Sequence, residues 1–95
     1  MITLTNKQTN YTAENSSENL KLSGSLSFNE DGRILAFNGA FQTLQDTYVG
    51  NFYYNENSNN KTTKSISEID TDKCDEADKL LDDTIKELKQ QISEL

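Results

Sequence analysis

The chain has 95 residues, 33% of them hydrophobic and 26% charged, with a net charge of −7. It is long enough for one domain and too short for two ordinary ones, and about 60–65% of its unfolded surface is all that a chain of this size buries. No basic patch offsets the acidity, so direct nucleic-acid binding and docking on anionic lipid are not expected; the absence of histidine removes the usual imidazole acid–base and metal chemistry.

Ile2 to Thr5 alternate apolar and polar residues and suit a short strand. They lack a basic stretch leading into an apolar run, and nowhere do about 18 apolar residues follow one another, so neither a signal peptide nor a membrane span is read and a cytoplasmic location is expected. Residues 6–19 are almost wholly polar, with Tyr11 their only large apolar group, and suit either a loop or a solvent-washed edge strand. Asn-x-Ser/Thr triplets at Asn10, Asn15 and Asn60 are what chance yields in so Asn-rich a chain.

From Leu20 to Phe28 the alternation is clean. Leu20, Leu22, Gly24, Leu26 and Phe28 fall on one face, with Lys21, Ser23, Ser25 and Ser27 on the other. Asn29-Glu30-Asp31-Gly32 is a strong turn signal, because Gly accepts the positive φ of a tight hairpin. The returning strand, Arg33 to Phe41, is expected to set Leu35, Phe37 and Phe41 on one face and Ile34, Ala36, Asn38 and Ala40 on the other. After a second turn at residues 44–47, Tyr48 to Tyr54 forms the most aromatic strand, with Tyr48, Gly50, Phe52 and Tyr54 opposite Val49, Asn51 and Tyr53. A polar surface loop over 55–63 then leads to a short strand at 65–69.

From Asp72 onward the period changes. Ala77, Leu81, Ile85, Leu88, Ile92 and Leu95 step by four and three, as one stripe of an α-helix does. Asp70, Thr71 or Asp72 caps its start, Asp75 and Glu76 suit the positive end of the helix dipole, and Asp75–Lys79 and Asp82–Lys86 are expected i,i+4 pairs. The predicted architecture is therefore α+β: one domain over 1–95, an antiparallel β-meander of four to five strands within 1–69, then one C-terminal amphipathic helix over 70–95.

Several features invite functional readings. Leu81, Leu88 and Leu95 fit heptad d positions and Ile85 and Ile92 a positions, so Ile85, Leu88 and Ile92 form a seam for a second copy or a partner helix, or else the cover of the chain's own sheet. Tyr48, Phe52, Tyr53 and Tyr54 serve the core and cross-strand packing; alternation turns Tyr53 and Val49 outward together as the expected partner surface. Asp82 and Asp83 lie on the solvated acidic side of the helix. Asp70 to Asp75 begins like a calcium loop but has Asp75 where Gly is needed and Leu81 where Glu is needed, so capping explains it better. Cys74, the sole cysteine, has acidic neighbours that oppose a thiolate and no histidine base.

The expected function is a small non-enzymatic protein-interaction or assembly module, without cofactor or metal, that binds a protein partner or itself. The alternatives are an acidic inhibitor that mimics nucleic acid on a basic protein and a minor structural component of a viral particle. The Asn- and Lys-rich, proline-free composition points to a bacterial or mobile-element origin.

Overall fold

The computed structural model describes residues 3–7, 10–29, 31–57, 59 and 61–94, with side chains from residue 11 onward. Six strands follow one another in space as they do in sequence: β1 (Thr3–Lys7), β2 (Asn10–Ser16), β3 (Leu20–Phe28), β4 (Ile34–Thr43), β5 (Tyr48–Glu56) and β6 (Thr62–Ser67), each antiparallel to the next. A 3-10 turn at Thr71–Lys73 opens into the helix α1 (Cys74–Ser93), which covers one face of the sheet. The meander and its C-terminal helix are as predicted. The extra strand is β2, and β6 starts earlier than expected, at Thr62, which shortens the preceding loop.

Three hairpins close with one chemistry. Asn29 Oδ1 accepts the N–H groups of Asp31 and Arg33, both at 3.0 Å. Thr43 Oγ1 does the same for Gln45 and Thr47 at 3.3 and 3.2 Å, and Asn57 Oδ1 for Asn59 and Lys61 at 3.0 and 3.1 Å. In each, a side-chain oxygen satisfies the donors two and four residues on, which is why Asn and Thr stand at these corners. The left-handed position of the first two turns is taken by Gly32 (φ 80°) and Asp46 (φ 70°).

Two bulges correct the predicted faces. Ser27 pairs with Ala36 but Phe28 with Ile34, so Leu35 is the extra residue of β4. Ile34 is thereby turned into the core and Leu35 left 43% exposed, the reverse of the assignment from simple alternation. Likewise Phe41 pairs with Gly50 but Gln42 with Tyr48, which makes Val49 the extra residue of β5. Val49 is 8% exposed and belongs to the core; Tyr48, expected on the inward face, is 49% exposed.

The core lies between the inward face of the sheet and α1. Leu20, Leu22, Leu26, Phe37, Phe41 and Phe52 meet Ala77, Leu80, Leu81, Leu88 and Ile92 there. The buried stripe of the helix is centred on Leu80, Leu81, Thr84 and Leu88, so Ile85 falls to its margin, half-buried. Gly24 and Gly39 face each other on β3 and β4, and the Phe52 ring lies over them; a Cβ on Gly24 would stand 2.7 Å from Phe52 Cζ. Phe37 and Phe41 flank that ring at centroid distances of 4.8 and 5.3 Å, in tilted geometries that suit aromatic quadrupoles.

Candidate interaction surface

The apolar stripe of α1 is occupied by the chain's own sheet. Leu88 is fully buried and Ile92 nearly so, against β-strand side chains; only Ile85 of the proposed seam retains exposed surface. A heptad seam would need Ile92 and Leu88 free, and the sheet's need for a cover has claimed them. The pairing of Tyr53 with Val49 as an outward patch also fails, because the bulge at Val49 turns that side chain inward while Tyr53 stays outside beside Asn38 and Ser65.

Polar contacts tie the helix to both sides of the sheet. On the β2 side, the Glu76 carboxylate accepts the Ser17 hydroxyl, the Asn19 backbone N–H (2.9 Å) and the Asn19 amide (3.2 Å). The Ser17 hydroxyl above all, with the Asn19 N–H, holds the Glu76 carboxyl below its ordinary pKa. At the far end of β5, Glu56 accepts from Ile34 N–H (3.0 Å), Tyr54 O–H (2.6 Å) and Lys89 Nζ (2.7 Å). Burial alone would raise the Glu56 pKa, but these three donors outweigh it and bring it below the usual value. Burial, then the hydrogen bond to Glu56, pushes the Tyr54 phenol up to about 12. A shallow cleft beside this group, about 370 Å³ and lined by Asp31, Arg33, Glu56, Asn57, Thr62 and Lys89, mixes both signs of charge.

On the β6 side the charges are uneven. Lys64 Nζ lies 2.6 Å from Asp78 and 2.7 Å from Asp82, so two carboxylates share one ammonium. Burial would lower the Lys64 pKa, yet its bonds to the two aspartates raise it. The expected Asp82–Lys86 pair is replaced by this contact, because Lys64 on the neighbouring strand reaches Asp82 directly. Lys79 pairs forward with Asp83 at 2.7 Å, in place of the expected pair with Asp75. Thus Asp82 and Asp83, both predicted as partner contacts, each already hold a lysine of the chain itself.

Of the predicted caps, Thr71 and Asp72 lie in the 3-10 turn and Asp70 immediately precedes it; the Lys73 N–H bonds the Asp70 carbonyl and no side chain caps the start. Among the described residues no group of three or more His, Cys, Asp or Glu side chains is placed to hold a metal ion, and no helix is long and apolar enough to cross a membrane. Cys74 is exposed.

Sequence reasoning missed the outer side of β6. Its residues, Thr62 to Ser67, are exposed apart from half-buried Ile66. β6 is the last strand of the sheet, and among the described residues nothing pairs with its outer edge. The signal in the sequence was the alternation Thr62, Lys64, Ile66 directly after a turn, masked by its polarity. Compared with known protein families, curated proteins and solved structures, the chain matches none.

Proposed function

We propose that the chain is a small non-enzymatic protein-binding module that recognises its partner along the β6 edge and the adjoining flank of α1. The observation that carries this is the unpaired outer edge of β6, whose six residues pair with β5 in unbroken register. A row of free backbone N–H and C=O groups is a template for another strand, and natural sheets commonly blunt such an edge with proline, a bulge or an outward lysine. β6 has no proline and no bulge, and its one lysine, Lys64, is drawn back to the helix. The core role of Leu88 and Ile92 further supports an edge over a helical seam as the site of contact.

The test is in-cell crosslinking in the native host, comparing the natural chain with Thr63→Lys/Ser65→Lys, which places outward charges on the edge without touching the core. Crosslinks from Lys61 or Lys64 to one defined protein, lost in the double variant while its circular dichroism is unchanged, are the expected result. Equal recovery of the same partner by both chains sinks the edge as the contact.

A further inference from the structure

The β6 edge is overlooked by groups that constrain what can pair with it. Asp78 and Asp82 stand above it on α1, 54% and 49% exposed, and share the single ammonium of Lys64. One cation between two anions leaves a surplus negative charge and free acceptor lone pairs at the sheet margin. Ile66 of β6 is packed against the core yet half-buried. Lys64 and Ile66 are two apart on one strand and therefore face the same side.

Resting on the module reading above, we infer that the occupant of this edge is an extended segment of a partner protein carrying a basic side chain beside Lys64 and an apolar one two positions along, beside Ile66. A strand added to β6 lies about 4.8 Å farther out. From there a lysine or arginine reaches back to the exposed oxygens of Asp78 and Asp82, and an aliphatic group covers the open side of Ile66. Main-chain bonds supply the attachment, and the alternate side chains supply the selectivity. A second copy of this chain fits less well. Each copy carries −7, and pairing edge to edge would bring four aspartates together around two lysines.

The probe is a capped octapeptide alternating threonine with lysine and valine, so that lysine and valine share one face; its control has glutamate in place of lysine. Calorimetry and amide hydrogen exchange are run on the intact chain. Binding of the lysine peptide is expected, with slowed exchange confined to β6, no binding of the glutamate peptide, and affinity lower by about threefold to tenfold in Asp78→Asn/Asp82→Asn. Equal binding of the two peptides, or binding without protection of β6, overturns the inference. So does a β6 already protected in the free protein with a mass that doubles on concentration, which would make the occupant a second copy. If no peptide binds while in-cell crosslinks still depend on the edge, the partner chemistry is wrong and the module reading survives.

Discussion

The Asn15 side-chain amide donates to the Thr84 hydroxyl at 2.9 Å, and that hydroxyl donates in turn to the Leu80 carbonyl at 2.6 Å. Strand β2 and helix α1 are thereby joined by a polar contact inside the interface, where Thr84 is wholly buried and Asn15 is 8% exposed. Replacing Thr84 by Val keeps the shape but removes the acceptor of a buried amide hydrogen. A loss of about 1–3 kcal/mol is expected by urea denaturation. In a double-mutant cycle with Asn15→Ala the two losses should be non-additive; strict additivity would show that the pair is not coupled.

Glu56 and Glu76 make the stability depend on acid. Both carboxyls are held below the ordinary value of 4.5 in the folded chain, so their contribution is complete above that pH and is lost as pH falls through the lower folded values. Urea midpoints measured from pH 7 down to 3 should hold and then drop below about 4.5. Glu56→Gln/Glu76→Gln should be less stable at neutral pH and flatter across the acid range. A natural chain with no acid dependence would contradict the two clusters.

Tyr54 acts at the opposite end of the scale. Its phenol is raised from 10.0 to about 12, so the stability tied to the neutral hydroxyl is full below pH 10 and disappears as pH climbs through the folded value. Ultraviolet titration of the four tyrosines should show a phenolate step near pH 12 that Tyr54→Phe removes. If that step persists in Tyr54→Phe, another ring is responsible.

Gly39 is the position least tolerant of a side chain. A Cβ there would collide with the Ser23 carbonyl and lie 2.5 Å from Gly24 Cα, both of them backbone atoms that cannot swing aside. Gly39→Ala should destabilise by about 3 kcal/mol, at the upper end of overpacking costs. A thermal midpoint unchanged from the natural chain would mean that β3 and β4 separate at no cost.

Glu68, by contrast, occupies a left-handed conformation with φ 58° as the chain leaves β6. That conformation costs a non-glycine residue about 1–2 kcal/mol, and the Tyr48–Glu68 contact that would be lost is exposed and 3.3 Å long. Glu68→Gly is expected to raise stability by roughly 1 kcal/mol in urea, after allowing for glycine's greater freedom when unfolded.

The central strands and the helix were legible because each carries its own periodic apolar signal: Leu20 to Phe28 at period two, Ala77 to Ile92 at three and four. β2 was not, since its inward positions are Tyr11, Ala13 and Asn15. An alanine and an asparagine bury through a neighbour's geometry, here Thr84, and not through hydrophobicity of their own. The bulges at Leu35 and Val49 were equally invisible: one inserted residue reverses every face beyond it, and nothing in residue type announces it. That reversal is why Tyr53 was rightly placed outside while Val49 was not. The β6 edge went unread because openness is a property of what lies alongside a strand, which pattern within the strand cannot encode.

The bond from Asn15 to Thr84 spans 69 positions, and those from Ser17 and Asn19 to Glu76 span 59 and 57, whereas each strand pairs with its predecessor in sequence. Strand pairing can therefore zip from one hairpin to the next, while docking of the helix waits for residues 74–93, which follow all six strands. During synthesis the greasy side of the meander is complete before the segment that shields it has been made. For that interval the nascent chain is a sticky half-sandwich, and the rate at which residues 74–93 emerge and coil sets how long it stays so.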